Sequence, residues 1–416
     1  MISTTILAMV PFVAAIAVLV GTVRYIGKIA ILPAVVTGLL SFVIIQTFVA
    51  SAISIAVPYP NMVLVAASNS SAPDKSRADY VVTGNADDEL TAAVTYAAAN
   101  GKDGVHCFSG TYGMTARVDI AAGLTFEGDG PATVFTPTVG LGGGGYTPMI
   151  RVVTVGVTLR DFRCSGEANR WAGYGVDISS GASNFLAERL TFTGLYDDDQ
   201  MSVDGGTCHD GVVRNCSFTG NTRQGVELNS CIEVDTGPYN VTVENCTFTP
   251  PYYDGLSVHT HPASPQTHDI TIRNNTFTGD QATGTGMLLR ITGNAPGGVA
   301  ENLPSYNITV SGNSFAGSAL YGIWHIGYAE DCTFTGNSVV VLDDELGLFF
   351  RGLSSPTRLT LDSNVWLAPV GKTLTYEADA TTVFDDIAFG VHESRTNVGW
   401  DAWIAAGILA GEITGL

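Results

Sequence analysis

Lysine is scarce in this chain of 416 residues. The lysines are Lys28, Lys75, Lys102 and Lys372, and all basic residues together number 19 against 39 Asp and Glu, for a formal net charge of −20. Nucleic-acid binding needs basic patches, so this balance excludes a nucleic-acid partner. Acidic surfaces keep proteins soluble at high salt, where charge repulsion is screened. The charge therefore favours a halophilic source over an ordinary acidic surface protein.

Acidic residues are absent from the first 57 residues. Two apolar runs, 2–23 and 29–57, are each long enough to span a bilayer, and Arg24 and Lys28 lie between them. We predict a two-helix anchor in membrane lipid, with the basic loop in the cytoplasm and both ends outside. A signal peptide fits poorly, because no basic residue precedes the first run and the second run is too long. A hydrophobic plug inside a virion or an oligomer is a further alternative.

The cysteines show no pattern for disulfides or zinc. They number seven, an odd count, and no C-x-x-C spacing occurs. Three of them recur two residues before a phenylalanine, at a place that asparagine takes in other copies of the same phrase: Cys216, Cys246, Cys332, Asn275, Asn313 and Asn364. Because side chains alternate along a strand, these residues share the side of the phenylalanine. We therefore predict a buried column of small side chains and no metal site.

The repeated phrase combines a strand with a turn. Its clear copies cover 212–220, 241–249, 270–279 and 308–317, and weaker copies cover 187–194, 331–336 and 359–366. Most copies are about 26 to 38 residues apart, a period typical of stacked repeats. A solenoid can use the whole length of the chain as one body.

The start of this repetitive region resembles a known family. A short helix from Asp87 to Ala99 comes first, followed by Gly104-Val105 with Gly110-Thr111-Tyr112, and then by Leu124-Thr125-Phe126-Glu127-Gly128-Asp129-Gly130. This order resembles the entry of pectate-lyase-like right-handed parallel β-helices, which viral tailspikes share. The resemblance implies a β-helix with a capping helix over 79–370 and, with the charge, a halophilic archaeon or its virus as source. It does not imply a function, since the fold hosts lyases, hydrolases, epimerases and adhesins.

The predicted fold class is therefore all-β. Residues 58–78, rich in Ser, Asn, Ala and Pro, are predicted as a linker. Residues 371–416 are predicted as a C-terminal helical cap or an oligomer contact. A homotrimer is an analogy to tailspikes.

A second strand in each coil follows the repeated phrase, and its outward residues carry the predicted site. Stacked coils bring equivalent side chains about 4.8 Å apart. The predicted catalytic residues are Asp199, Asp204 and Glu227, because acid–base cleavage of a glycan needs two carboxyls at a fixed separation. The predicted ligand-binding residues are Asp198, Arg223, Tyr252, Tyr253, Asp254, His259 and Arg290, which offer hydrogen bonds to hydroxyls and rings for stacking. A solvated acidic face is the simpler alternative, and no cofactor is predicted beyond a calcium ion at 197–199.

Glycosylation sequons recur along the chain. Asn69, Asn240 and Asn307 lie where modification is expected. The sequons at 215, 245 and 274 lie inside the repeated phrase, where turn geometry explains the asparagine.

These features predict a membrane-anchored surface protein or virion spike. Its β-helix would lie outside the cell and recognise glycans or a host cell envelope. A polysaccharide hydrolase or lyase on the same fold is the first alternative, and a structural envelope component is the second.

Overall fold

The computed structural model describes residues 59–141, 147–166, 174–194, 199–220, 232–235, 237–252, 254–260, 264–293, 303–319, 323–327, 329–341, 346–350, 358–367, 375–378 and 388–389. The predicted membrane anchor, 1–57, lies outside these residues, and so does most of the predicted C-terminal segment, 371–416. Among the described residues, no helix is both long and apolar enough to cross a membrane. The coils belong to a compact unit that begins at Asn61.

Short strands are the main regular structure among the described residues of this unit. The first are β1 (Met62–Ala66), β2 (Tyr80–Val81), β3 (Gly104–Cys107), β4 (Gly110–Met114), β5 (Val118–Ile120), β6 (Thr125–Gly128), β7 (Thr133–Pro137), β8 (Ile150–Val152), β9 (Thr158–Arg160), β10 (Arg163–Ser165) and β11 (Val176–Ile178). The next are β12 (Leu186–Glu188), β13 (Thr191–Thr193), β14 (Met201–Asp204), β15 (His209–Arg214), β16 (Ser217–Thr219), β17 (Ile232–Asp235), β18 (Tyr239–Glu244), β19 (Thr247–Thr249), β20 (Asp254–His259), β21 (His268–Arg273) and β22 (Thr276–Gly279). The last are β23 (Met287–Thr292), β24 (Ser305–Ser311), β25 (Ser314–Gly317), β26 (Trp324–Ile326), β27 (Ala329–Thr335), β28 (Ser338–Val341), β29 (Leu346–Phe350), β30 (Thr360–Asp362), β31 (Val365–Leu367), β32 (Thr375–Ala378) and β33 (Ala388–Phe389).

The strands form three parallel sheets, and each coil contributes one strand to each. Sheet A has the order β2-β1-β3-β6-β9-β12-β15-β18-β21-β24-β27-β30-β33. Sheet B runs from β4 through every third strand to β31, and sheet C runs from β5 through every third strand to β32. Every coil therefore passes from sheet A to B to C before the next coil stacks on it. This is the parallel β-helix that the repeated phrase predicted, and the expected all-β class is confirmed.

The N-terminal end differs from the prediction. Residues 62–66, placed in a linker, form β1, which pairs with β3 in sheet A. The sequence Met-Val-Leu-Val-Ala is apolar enough to be buried on both faces, and the polar residues around it concealed this signal. Helix α1 (Ala72–Arg77) follows with Ser71 as its N-cap. Helix α2 (Ala86–Ala99) ends before Gly101, as predicted, and packs on β1 and β3.

Sheets A and B meet at a left-handed residue, and this turn explains the repeated phrase. Asn215, Asn245 and Asn274 have φ values of 55°, 55° and 56°. Asparagine is among the few residues that adopt this region readily. The following strand brings the phenylalanine inward, where Phe192, Phe218, Phe248, Phe277 and Phe315 stack as one fully buried column.

A ladder of buried amides follows this turn. Asn275, Asn313, Asn337 and Asn364 stack in successive coils, and the Nδ2 of each of the first three donates to the Oδ1 of the next at 2.8–3.0 Å. Cys216 and Cys246 continue the ladder below as buried thiols, so the predicted column is confirmed for them.

Cys332 does not belong to that ladder, contrary to the prediction. It pairs with Ile308 in sheet A, and Phe334 pairs with Val310. Residues 331–336 thus have the sequence of the phrase that leads into sheet B, but they form part of a strand in sheet A. Asn337, three residues after Phe334, takes the ladder position.

An alternating column of charge follows the outer face of sheet A. Glu127, Arg160, Glu188, Arg214, Glu244 and Arg273 occupy one register position in six successive coils. Arg160 bonds Glu127 at 2.5 Å, Arg214 bonds Glu188 at 2.8 Å, and Arg273 bonds Glu244 at 2.6 Å. Opposite charges in facing positions favour this strand register over one that is shifted by a residue.

Candidate functional site

The outer face of sheet C carries the candidate site. One register position runs through eight coils and is occupied by Asp119, Arg151, Asp177, Ser202, Glu233, Ser257, Arg290 and His325. Apolar core residues flank each of these positions, for example Val176 and Ile178 on either side of Asp177. The pattern of one polar residue between two apolar ones places a polar group in every coil.

This column differs from the predicted one at three places: Glu233, Arg290 and His325 lie where the sequence pattern placed Glu227, Leu288 and Trp324. In the coil of β17 the strand is Ile232–Asp235, so Glu233 takes the position predicted for Glu227. Glu227 itself lies outside the described residues. In the coil of β23, Arg290 pairs with Ser257 and not with His259. The run Met287-Leu288-Leu289 has no alternation, so the sequence alone could not choose between two registers.

Asp254, which is buried, pairs with the half-buried Arg290 on this face. Asp254 is 2% exposed, and its Oδ2 accepts a hydrogen bond of 3.3 Å from Arg290 Nη1. Burial raises the pKa of Asp254 to about 6, although the charge of Arg290 opposes that shift. Its Oδ1 receives no hydrogen bond from any described residue, and neither does the buried hydroxyl of Ser257.

Asp177 is a second carboxyl of the same kind, on β11. Burial raises its pKa to about 6; the hydrogen bond from Ser179 lowers it, the charge of Asp204 adds to the rise, and Arg151 and Arg117 oppose it. Ser179 Oγ donates to its Oδ2 at 2.8 Å. Within the part of the chain that the structure describes, its Oδ1 is also buried without a partner. We did not select Asp177 or Ser257 from the sequence; the signal was a lone polar residue between two core residues.

The predicted site residues separate into three groups. Asp204, His259 and Arg290 lie on the face, each half-buried. Asp199 and Tyr252 are buried, at 1% and 0% exposure, and Tyr252 donates its hydroxyl to the Thr278 carbonyl. Tyr252 therefore offers no ring for stacking, which corrects the prediction. Asp198, Arg223, Tyr253 and Glu227 lie outside the described residues.

Spacing decides which carboxyls can act together. Asp177 and Asp254 are three coils apart and offset by three residues along the strand, about 17 Å in all, which is too far for one acid–base pair. Asp199 lies before the strand that ends at Asp204, two residues ahead of its first residue. Asp204 lies one coil from Asp177 and two residues further along, which puts their Cα atoms about 8 Å apart. The structure thus brings Asp204 to Asp177, a partner that the sequence did not select.

The structure describes some of the positions predicted to bind a metal ion or to carry a glycan. Within the described residues, no group of three or more His, Cys, Asp or Glu could hold a metal ion. The calcium prediction rests on residues 197 and 198, which are not described. Asn69 bonds Thr111 through both side-chain atoms, Asn240 donates to Asp210, and Asn307 donates to Asp269.

Asn240 and Asn307 also have φ values of 53°. Turn geometry thus accounts for these two asparagines as it does for those inside the repeated phrase. Their amide nitrogens, which would carry a glycan, are engaged within the fold.

Comparison with known proteins concerns this same region. Residues 155–339 match a family model described as "Right handed beta helix region". No curated protein matches the chain in sequence. Among solved structures, a mutant tailspike protein of E. coli bacteriophage HK620 in complex with a pentasaccharide has 13% identity and a TM-score of 0.51, over 76% of this chain and 63% of that one.

Two further structures have different functions. The surface adhesin PfbA of Streptococcus pneumoniae and the A-module of the Azotobacter vinelandii mannuronan C-5 epimerase AlgE6 each have 14% identity and a TM-score of 0.50, over 76% of this chain and 92% of theirs. Likeness at such identities concerns the fold alone, and the chain spans less than two thirds of the tailspike. The matches agree with the three-sheet coil and identify the region as a right-handed β-helix.

Proposed function

We propose that the outer face of sheet C binds a glycan of a cell envelope, and that the protein is a surface spike or adhesin. The observation that carries the proposal is a set of buried oxygens without partners among the described residues: Asp177 Oδ1, Asp254 Oδ1 and Ser257 Oγ. A buried polar group without a partner costs about 1–3 kcal/mol. Sugar hydroxyls both donate and accept, so a bound glycan would supply the missing partners.

The arrangement also fits a chain-like ligand. The column repeats about every 4.8 Å along the coil axis, so a linear glycan lying along it meets a new polar group in each coil. Arg290 and His259 add donors beside the carboxyls. The tailspike that was solved with a pentasaccharide has the same fold and is consistent with this use.

A binding measurement with matched variants tests the proposal. Purified envelope polysaccharide is titrated into the full-length wild-type chain and into three variants of it. These are Asp254→Asn, Asp177→Asn and the control Asp362→Asn on sheet A. Because each of the first two variants loses a buried hydrogen bond to the glycan, we expect roughly tenfold weaker binding for them and unchanged binding for the control. Equal binding by all four proteins contradicts the proposal.

Glycan cleavage is the second candidate, favoured by Asp177 and Asp204. Inverting hydrolysis needs two carboxyls about 6.5–9.5 Å apart, and the general acid must hold its proton near the working pH. The Cα atoms are about 8 Å apart, which lets the two carboxyls reach such a separation, and burial raises the pKa of Asp177 to about 6. Release of reducing ends that Asp177→Asn abolishes would support cleavage. Binding of the glycan without release of reducing ends would support the adhesin and not the hydrolase.

The proposal places the β-helix outside a cell or on a virion. The segment 1–57 would hold it in lipid, and 371–416 would close the coil or join three copies. Protease protection in oriented membranes tests the membrane anchor, since digestion down to Met1 contradicts it. Light scattering in detergent tests whether three copies associate. A stability that rises with salt would support the halophilic source.

A further inference from the structure

Four outward residues in two neighbouring coils of sheet C form a rectangle of acids and serines. Asp177 and Ser179 belong to the coil of β11, and Ser202 and Asp204 belong to the coil of β14. The pairing of these strands places Asp177 beside Ser202 and, continued by one residue, Ser179 beside Asp204. We call this set the Asp/Ser quartet. Its sides are about 4.8 Å between coils and about 6.7 Å along a strand, so the two acids occupy opposite corners.

One carboxyl of the quartet has an oxygen reserved for a partner from outside. Asp177 is 7% exposed, and its Oδ2 accepts a hydrogen bond of 2.8 Å from Ser179 Oγ. Its Oδ1 is buried and has no hydrogen-bond partner among the described residues. Buried polar atoms are nearly always hydrogen-bonded, so this oxygen calls for a donor that the described chain does not supply.

The two carboxyls also repel each other. Burial raises the pKa of Asp177, and the negative charge of Asp204 adds to that rise. Arg151 lies one coil from Asp177 in the same column, but its guanidinium bonds Asp119 instead, with Nε 3.0 Å from Oδ1 and Nη2 2.9 Å from Oδ2. Among the described residues, no cation forms a salt bridge with Asp177. A cation between the two acids would therefore relieve both the repulsion and the cost of burial.

The geometry favours an ammonium group as that cation. An ammonium group has three N–H donors and no acceptor, and the quartet offers carboxylate and hydroxyl oxygens around one point. Calcium takes six to eight oxygen ligands, and no group of three or more His, Cys, Asp or Glu among the described residues could hold a metal ion. The net charge of −20 further attracts a positively charged ligand to this chain.

We propose that the Asp/Ser quartet binds the ammonium group of an amino sugar, so that the ligand of sheet C is a glycan with free amines. Its N–H groups would donate to Asp177 Oδ1, to the Asp204 carboxylate and to the Ser202 hydroxyl. The inference rests on the glycan binding proposed for this face and adds the class of sugar. N-acetylation removes the charge and two of the three N–H groups, so an acetylated glycan would fit the quartet poorly.

Two probes that differ in the amine alone test this inference: a linear hexamer of glucosamine and the same hexamer of N-acetylglucosamine. Each is titrated into the full-length chain near neutral pH. We expect the wild type to bind the glucosamine hexamer at least tenfold more tightly, and Asp177→Asn and Asp204→Asn each to lose most of that preference. The matched control, Asp362→Asn on sheet A, removes the same charge and should keep it. This control separates the quartet from a general attraction of an acidic chain to a cation.

Three outcomes overturn the inference. The first is equal binding of both hexamers by the wild type, and the second is a preference that all three variants keep. The third is calcium binding that Asp177→Asn abolishes, without a preference for the amine, which would assign the quartet to a metal ion.

The titrations with envelope polysaccharide keep this inference separate from the proposed function. If the polysaccharide binds sheet C and the wild type shows no preference between the hexamers, the glycan site stands and the ammonium site falls. If the wild type prefers the glucosamine hexamer and does not bind the polysaccharide, the ammonium site stands and the proposed envelope ligand falls.

Discussion

Asn275 donates two hydrogen bonds to one atom of Asn313: its backbone N lies 2.9 Å and its Nδ2 3.0 Å from Asn313 Oδ1. Asn313 in turn donates to the Ile272 carbonyl at 2.9 Å and to Asn337 Oδ1 at 3.0 Å. Each amide thus completes the turn of the coil below it. We expect Asn313→Ala to lower the free energy of unfolding by about 3 kcal/mol, because it leaves several buried polar groups without partners. Urea denaturation followed by circular dichroism measures this.

Cys246→Asn is the matched test of the same ladder. The backbone N of Cys246 already donates to Asn275 Oδ1 at 2.8 Å, and its Sγ lies 3.9 Å from the Val213 carbonyl. An amide there could make the contacts that the other rungs make. We expect unchanged or higher stability in the same denaturation experiment. A loss as large as that of Asn313→Ala would show that amide continuity does not stabilise the coil.

The charge column of sheet A predicts a salt-dependent effect. In Arg214→Glu three successive coils would carry a carboxylate at one position, between Glu188 and Glu244. Like charges in facing positions are destabilising, by about 1 kcal/mol or more where one partner is buried, as Glu188 is. The melting temperature should fall at low salt and recover in part at high salt, because ions screen the repulsion. A deficit that salt does not change would indicate lost packing instead.

His106 is expected to make the N-terminal coils less stable as the pH rises. Its imidazole is 1% exposed and lies 3.1 Å from both Glu127 and Asp129. Burial lowers its pKa, yet the hydrogen bonds and charges of the two carboxyls outweigh burial and raise it overall. In return, the pKa values of both carboxyls are lowered: for Glu127 against the cost of burial, for Asp129 mainly through its hydrogen bond to His106.

The sign of the pH dependence follows from these shifts. A raised histidine pKa gives stability that is present below about pH 6.5 and lost as the pH rises through the folded value. The lowered carboxyl pKa values give stability present above about pH 4 and lost at lower pH. We expect a maximum between these limits in the melting temperature, and His106→Gln should reduce the decline above it to the part that Asp177 and Asp254 contribute. A decline in His106→Gln as steep as in the wild type would show that His106 does not contribute to it.

Asp177 and Asp254 predict a stability cost at the site. Both have a pKa raised by burial to about 6, so they destabilise the folded state as the pH rises through that value. We expect Asp177→Asn and Asp254→Asn to be more stable than the wild type at pH 8, by about 3 kcal/mol each, and close to it at pH 4. Such a gain with loss of binding is the trade-off expected of functional residues. Lower stability at pH 8 would contradict the raised pKa values.

The sequence predicted the spine of the fold better than its site. The phrase with Phe218, Phe248 and Phe277 has a clear period and a left-handed turn residue, so the stacking of the coils followed from it. The phrase around Cys332 has the same letters in another sheet, and only pairing with β24 reveals its place. Strand β1 was missed because its pairing partner lies 42 residues away, between Met62 and Gly104.

The site was harder to predict because burial and register decide it. Asp254 and Asp199 look like surface acids in the sequence, whereas the coil buries both. Glu227 and Glu233 each lie between apolar residues, and only the pairing of β17 with β14 chooses Glu233. Asp204 and His259 were placed on this face because each follows two apolar residues with a serine between them.

The most direct test of the glycan site is a structure of the full chain with a bound envelope oligosaccharide. The proposed function predicts sugar on the outer face of sheet C, with a hydroxyl within hydrogen-bond distance of Ser257 Oγ and of Asp254 Oδ1. Sugar bound on sheet A or sheet B, with these two atoms still unpartnered, would contradict it.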